Sequence, residues 1–371
     1  MKHITSTLGA LAMVTSVVHA GGIEREPSNV GFLFEKGNYA ELSVRRVMPS
    51  VSGELIGPGT PSGDIAQSYT SASFALKTQV NDQLSFGLLL DQPVGANTLY
   101  PAGTGYPLAG TTADLTSTAA TALLRYNLPH GISVYGGPKF ESIKGTVALP
   151  SINYNLSTNN DQETGYLAGV AYEKPEIALR VALTYASAIS HTFETQETGG
   201  LGGSSTAPLT TEIPKSISLD FQSGVAKDTL VFGSIRWREW SQFDITPALF
   251  KFLTTNGLNP SGTSLADYVS DVVTLNIGVG RRFNQNWSGA VSLGYERSNG
   301  DLTGNLNPVD GRTSIGLGGS YTKDNMKISA GVTYARLGDA QSKRAGTAAT
   351  PFGDFKNNHL TGVGVKVGFS F

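Results

Sequence analysis

An all-β fold, a transmembrane antiparallel β-barrel of about fourteen strands, follows from three features of the chain. Apolar side chains recur with a period of two. The connections alternate short and long. After the N-terminus there is no apolar run of helical span length.

The period is clearest in Ile177-Ala178-Leu179-Arg180-Val181-Ala182-Leu183-Thr184-Tyr185, where odd positions are apolar and even ones small or charged. It recurs in Val273, Leu275, Ile277 and Val279, and in Val363, Val365, Val367, Phe369 and Phe371. Successive strand side chains point to opposite faces, so such segments set one face in lipid and one toward a polar lumen. From Gly37 onward the pattern predicts strands at 37–49, 67–81, 83–92, 113–127, 131–148, 163–174, 176–192, 213–226, 228–243, 271–283, 286–298, 312–322, 325–338 and 357–371. Between them, Asn81-Asp82-Gln83, Leu128-Pro129-His130, Glu173-Lys174-Pro175, Lys227-Asp228, Asn284-Gln285-Asn286 and Lys323-Asp324-Asn325 are short and rich in turn formers. The alternate connections, near 50–66, 93–112, 149–162, 193–212, 244–270, 299–311 and 339–356, are long. Short periplasmic turns and long external loops are the outer-membrane arrangement, which puts both barrel ends on the periplasmic side. A soluble β-sandwich would need a polar outward face, and nearly every strand here has an apolar one. Tyr126, Tyr172, Tyr185, Trp287, Tyr295, Tyr321 and Tyr334 fall near strand ends, where interfacial girdles form.

Composition agrees. Of 371 residues, 39% are hydrophobic and only 15% charged, with 45 glycines. A soluble domain with so few charges needs a large apolar core, whereas a barrel coats its outside with apolar groups and its lumen with small polar ones. The net charge of -2 argues against a nucleic-acid partner, and no cysteine offers a disulfide or thiolate site. Residues 1–20 read as a signal peptide: Lys2 and His3 precede an apolar Leu8–Val18 stretch, and Val18-His19-Ala20 is a cleavage site. Residues 21–36 form a short pre-barrel segment, and 37–371 the barrel.

Several patches, in order and at their spacing, carry a family likeness. They are Ile213-Pro214-Lys215-Ser216, Arg236-Trp237-Arg238-Glu239-Trp240-Ser241-Gln242-Phe243, Phe283-Asn284-Gln285-Asn286-Trp287 with Gly294-Tyr295, and the closing Gly368-Phe369-Ser370-Phe371. Asp91-Gln92-Pro93-Val94-Gly95-Ala96-Asn97 follows the third strand. Over most of the mature sequence the chain resembles the FadL/TodX family of outer-membrane channels for long-chain fatty acids and other hydrophobic compounds. That resemblance implies a fourteen-stranded barrel plugged by an N-terminal hatch, with sideways release at a kinked third strand. It also implies a monomer set among outer-membrane lipid and lipopolysaccharide, and Phe371 resembles the signal read by the barrel assembly machinery. The family's Asn-Pro-Ala patch is absent and residues 21–36 are few, so either a truncated plug remains or loops close the pore. For the kink, Asp91, Pro93 and Gly95 are the candidates: proline cannot donate to a ladder and glycine bends freely.

The loop after the ninth strand reads Thr246-Pro247-Ala248-Leu249-Phe250-Lys251-Phe252-Leu253. Thr246 suits an N-cap, Pro247 a first turn and Asn256-Gly257 a helix end; a second short helix is expected from Ser264. Leu249, Phe250, Phe252 and Leu253 then form either a greasy groove that captures ligand or a lid packed on the rim. Parity turns Glu41, Arg45, Lys77, Arg125, Lys139, Glu141, Arg180, Asp220, Arg236, Arg238, Arg282, Glu296, Lys327 and Lys366 inward. They form a structural ion-pair network or guide an anionic headgroup, for which Arg236, Arg238, Lys139 and Arg180 are the candidates. Enzymatic readings find no support: there is no Gly-x-Ser-x-Gly, no His-Glu-x-x-His and no phosphate-binding glycine loop. The acidic run Asn159-Asn160-Asp161-Gln162-Glu163 reads as a solvated loop. The expected function is passive uptake of long-chain fatty acids or other hydrophobic compounds, without cofactor. The alternative is a diffusion porin for small polar or anionic solutes.

Overall fold

The computed structural model describes residues 23–200, 202–257, 259–347 and 350–371. The expected signal peptide lies outside the described residues. Fourteen strands close a barrel: β1 (Tyr39–Ser50), β2 (Tyr69–Gln79), β3 (Leu84–Asp91), β4 (Thr112–Asn127), β5 (Ile132–Leu149), β6 (Asp161–Lys174), β7 (Leu179–Ala186), β8 (Ser216–Ala226), β9 (Thr229–Arg238), β10 (Val272–Arg282), β11 (Trp287–Glu296), β12 (Arg312–Lys323), β13 (Met326–Leu337) and β14 (His359–Ser370). Each pairs antiparallel with the next, and β1 closes on β14 from Tyr39↔Ser370 to Ser50↔His359. Closure leaves no barrel edge, as a lipid-embedded sheet requires.

Side-chain alternation follows the sequence period. Leu42, Val44, Leu183, Val273, Leu275, Ile277, Leu317, Val363 and Val365 stand outward and exposed, while Arg45, Lys77, Arg125, Lys139, Glu296 and Lys366 are buried inside. Tyr126, Tyr172 and Trp287 mark the short-turn end of the outer face; Tyr166, Tyr295 and Tyr334 mark the other.

Two expectations about strand extent need correction. The stretch 176–192 is not one strand. β7 stops at Ala186, and Ile189–Gly199 leaves the barrel to pair with Gly203–Ile213 as a hairpin, while β7 pairs directly with β8. The hairpin stands above the wall and is joined there by Tyr154–Thr158. The stretch 228–243 likewise ends at Arg238, where Trp240–Gln242 turn inward and bury Trp240. Period two continues through both breaks, so the alternation alone did not reveal them.

Residues 23–36 run inside the barrel. Glu24 bridges Val94, the Arg25 and Glu26 amides donate to Pro93 O, and Gly95 N donates to Ile23 O. A single antiparallel bridge thus fixes this segment to the inner side of the wall. Farther along, Gly31–Phe34 form a tight turn whose Phe32, Leu33 and Phe34 pack against Leu89, Leu123, Tyr135, Leu167 and Ala182. Gly87 makes room for them: a Cβ there would lie 2.4 Å from Leu33 and 3.0 Å from Phe32.

Candidate functional site

The third strand is where the wall changes. Asp91 pairs with Ala119 and Gly95 with Thr116, so three residues of one strand oppose two of the other, a bulge. Pro93 has no N–H to offer the ladder. The Ser117 hydroxyl takes over at Val94, accepting from its N–H at 3.0 Å and donating to its carbonyl at 2.6 Å. On the other side, β2 and β3 pair only as far as Phe74↔Leu90, and contact resumes at Gln67 N→Asn97 O, 3.1 Å. Among the described residues no ladder pair joins 68–73 to 91–96. A cavity of about 690 Å³ opens at this place, lined by lipid-facing Leu42, Phe74, Leu90 and Phe140 and by Asp91, Gln92 and Glu141. Of the kink candidates, Asp91 is buried and accepts from Ser28 Oγ at 3.0 Å, while Pro93 and Gly95 carry the backbone contacts to residues 23–26. Gly95 also lets the Arg25 side chain cross, since a Cβ would sit 2.4 Å from Arg25 Nε.

Beside the kink and toward the long loops lies an apolar cavity of about 210 Å³. Ile143, Phe193, Leu209, Phe243, Tyr268 and Val309 contribute walls from the barrel, the hairpin and two loops, and Ile23–Arg25 lie along it. Its polar edge is Arg25, Asn97 and Asp114. The Arg25 guanidinium stands 4.4 Å above the Tyr69 ring and donates to Asn97 Oδ1, while Asn97 Nδ2 donates to Asp114 Oδ1 at 2.5 Å. Arg25 is buried, and its Nε lacks a hydrogen-bond partner. The convergence of these lining residues was not read from the sequence. They come from barrel strands, one hairpin and two loops far apart in the chain, and no local pattern reports that they meet.

A second cavity, about 200 Å³ and more polar, lies between residues 24–34 and the wall of β5 to β10. It gathers all four headgroup candidates: Lys139, Arg180, Arg236 and Arg238. Each already has a partner. Arg236 and Arg238 hold the Glu24 carboxylate at 2.6 and 2.5 Å, and the Arg238 guanidinium also lies 5.0 Å over Trp240. Lys139 pairs with Glu141 at 2.6 Å; Arg180 donates to Gln222 at 3.2 Å and sits 4.7 Å from the Phe34 ring. Glu24 borders both cavities, so the anionic group now facing the arginine pair belongs to the chain itself.

The loop helix exists as α1 (Ala248–Thr254), with its start and neighbours differing from expectation. Thr246 does not cap it; its hydroxyl bonds to Asp244 and Ser264. The free amides of Leu249 and Phe250 instead donate to the Glu197 carboxylate at 3.1 Å, from the facing hairpin. An anion at a helix start satisfies orphan donors and the helix dipole together. No second helix begins at Ser264: Ala266–Asp267 pair with Asp244–Ile245 as a two-residue ladder, which uses backbone groups a helix would need. Phe250 is buried against Tyr154 and Leu265, with Leu249 and Leu253 packed beside it, while Phe252 is 74% exposed. The four groove candidates therefore divide, three into the loop core and one to the surface, and none lines the apolar cavity.

His191 is buried between two carboxylates, Nδ1 at 2.9 Å from Asp161 and Nε2 at 3.5 Å from Glu141. Burial alone would lower its pKa, but the two carboxylates raise it above the ordinary 6.5. The run 159–163 is thus not simply solvated: Asp161 holds His191, and Asn159 Oδ1 accepts from the Glu194 amide at 3.0 Å.

No curated protein sequence matches this chain significantly. Solved structures share its fold, among them the following three. A Pseudomonas aeruginosa FadL homologue is 15% identical, with 100% of this chain and 99% of that one covered and a TM-score of 0.74. The P. putida toluene transporter TodX is 13% identical, with 91% of each chain covered and a TM-score of 0.64. The Ralstonia pickettii toluene transporter TbuX is 13% identical, covering 91% of this chain and 90% of that one, at a TM-score of 0.62. The sequence model of the family described as outer membrane protein transport protein (OMPP1/FadL/TodX) matches residues 37–371, the whole barrel, and the chain belongs to that family.

Proposed function

We propose that this protein admits hydrophobic molecules through the outer membrane by way of the apolar cavity beside the kinked third strand. The observation that carries the reading is this: a mostly apolar space inside the barrel lies directly against the place where the wall ladder lapses. Burial of an apolar solute there is favourable at roughly 25 cal/mol per Å² of surface removed from water. No energy source is needed, because movement down a gradient suffices.

Residues 23–36 serve as the plug. The Phe32–Phe34 wedge fills the end of the lumen nearest the short turns, and residues 23–26, bonded to Pro93 and Gly95, cover the kink from within. A diffusion porin needs an open aqueous path, which such a wedge obstructs. Ligand enters from the long-loop side, occupies the apolar cavity, and leaves sideways through the gap between 68–73 and 91–96. At about 210 Å³ the cavity is below the usual 300–1,000 Å³ of small-molecule sites. It accommodates a compact hydrocarbon or one end of an acyl chain. TodX and TbuX are described as toluene transporters, and a monoaromatic hydrocarbon is a natural first probe here alongside oleate.

The test is uptake of labelled oleate and labelled toluene, with a small labelled sugar as control, by cells lacking their own transporters and expressing this chain. Entry of either hydrophobe without sugar is the expected result. Sugar entry without either would return the porin reading. The sideways exit is tested by replacing Pro93 and Gly95 together with valine; unchanged hydrophobe uptake would rule it out.

A further inference from the structure

The lipid-facing surfaces of β11 and β13 lead to arginines, and that of β14 to a histidine. Outward positions on β11 run Trp287, Val291, Leu293 and Tyr295, all at least 47% exposed, and the next is Arg297, also exposed. On β13 they run Ile328, Val332 and Tyr334, then exposed Arg336. On β14, Val365 and Val363 lead to exposed His359. Trp287 and Tyr295 bracket an apolar band eight residues long, about 27 Å along the strand and about 20 Å high at the usual tilt. Arg297 and Arg336 therefore stand just past the aromatic girdle, on the side of the long loops.

These groups converge. Arg336 is the cross-strand partner of His359, whose ring stacks on Tyr334 at 5.9 Å. Arg336 and Tyr295 both pair with Thr313 of β12, and Arg297 is the next outward position beyond Tyr295. Two strand spacings across and two residues along put the Arg297 and Arg336 backbones about 12 Å apart, so two extended side chains reach one small anion between them. Neither guanidinium has an ion pair or side-chain hydrogen bond among the described residues. The carboxylate next to them in the loop, Asp310, is already taken by Ser298 Oγ and by the amides of Asn299 and Gly300, at 2.6, 3.0 and 2.7 Å.

We propose that Arg297 and Arg336, with His359 beside them, form a binding site on the barrel's outer face for the phosphate groups of lipopolysaccharide. Long loops face the cell exterior in outer-membrane barrels, so this height is that of the external leaflet's headgroups. The guanidinium fork matches phosphate oxygens bidentately and is weakly hydrated, which suits an interface between lipid and water. Tyr295 and Tyr334, directly below, offer ring faces to the glycolipid's sugar and the start of its acyl chains. The site faces away from the lumen, so it is independent of what the channel carries.

The experiment uses the purified full chain in detergent with bisphosphorylated lipid A added, binding being read by native mass spectrometry. The variants are Arg297→Gln/Arg336→Gln and, as a control that removes a cation at the opposite rim, Lys323→Gln. We expect the double variant to lose about tenfold in affinity, with the Lys323→Gln protein unchanged and dephosphorylated lipid A bound weakly by all three. Heat-modifiability on gels checks that every barrel is folded. Equal binding of bisphosphorylated lipid A by wild type and double variant would overturn the proposal. So would an equal loss in the Lys323→Gln control. Displacement of the lipid by millimolar inorganic phosphate would overturn it too, since it would mean a site for free phosphate. Hydrophobe uptake by the double variant remains at the wild-type level if the site is confined to lipid contact.

Discussion

Replacing Glu24 with glutamine isolates the ion pairs that tie residues 23–26 to the barrel wall. The Glu24 side chain is 2% exposed and its carboxylate lies within 2.6 Å of both Arg236 and Arg238. Removing one partner of a buried ion pair costs about 3–5 kcal/mol, because the charge left behind is neither paired nor solvated. Glutamine keeps the shape and one acceptor oxygen, so the lower end applies, about 3 kcal/mol, or roughly a 150-fold shift between latched and released states. Folding of the wall is not at stake, since none of the barrel's ladder bonds uses the Glu24 side chain. The assay is single-protein conductance in a planar bilayer, scoring the frequency of transient openings, with gel heat-modifiability as the control for an intact barrel. Openings should rise by about two orders of magnitude. If the frequency stays at the wild-type level in an intact barrel, the arginine pair does not hold the N-terminal segment, and the Phe32–Phe34 wedge alone retains it. The same variant separates ligand classes. A carboxylate-bearing hydrophobe that uses the vacated arginines gains in uptake over toluene, whereas a ligand held only by apolar contact does not.

Three further outcomes follow from named contacts. Gly87→Leu should drive a side chain into the space of Leu33 and Phe32 and raise conductance, measured against the same bilayer baseline; an unchanged conductance would mean the wedge relocates without opening a path. Glu197→Ala should strip the cap from α1 at a local cost of about 0.5–2 kcal/mol, read as faster amide exchange at Leu249 and Phe250 without loss of the barrel. Because the folded-state pKa of His191 is raised, its stabilisation of the external hairpin is fully present below about pH 6.5 and fades as pH rises through the raised value. Protease cleavage within 189–213 should therefore accelerate toward alkaline pH in the wild type, and His191→Gln should flatten that dependence.

The barrel was legible because its determinant is local. A two-residue period sets which face meets lipid, and turn residues at 81–83, 128–130 or 323–325 mark the returns, so each strand declares itself within a dozen residues. The kink was legible for the same reason, since Pro93 lacks a donor wherever it is placed. The apolar cavity was not, and the cause is visible in its lining. Ile23, Ile143, Phe193, Phe243 and Val309 become neighbours only because the barrel closes and the loops fold over it. Parity turned Arg236 and Arg238 inward correctly, but parity is blind to what stands opposite. The partner, Glu24, lies more than 200 residues earlier in a segment with no strand period of its own.

That partner changes how the basic lumen is understood. A row of inward arginines suggests attraction for an incoming anion, yet in this structure the anion is supplied by Glu24 of the N-terminal segment. The same segment pairs its backbone with Pro93 and Gly95 and lays Arg25 along the apolar cavity. Residues 23–26 thus touch the headgroup candidates, the wall gap and the ligand space at once. A ligand that competes for any one of these contacts weakens the others, because all three depend on the same four residues holding their place against the wall. Coupling of this kind needs no relay through the barrel wall; it needs only a short segment held by two arginines on one side and a bulge on the other. Gly95→Leu tests it without touching a charge. A side chain there collides with Arg25, so it should release Glu24 from the arginine pair and raise the opening frequency as Glu24→Gln does. If instead Gly95→Leu leaves conductance unchanged while uptake falls, the kink and the latch act separately, and residues 23–26 are a passive lining.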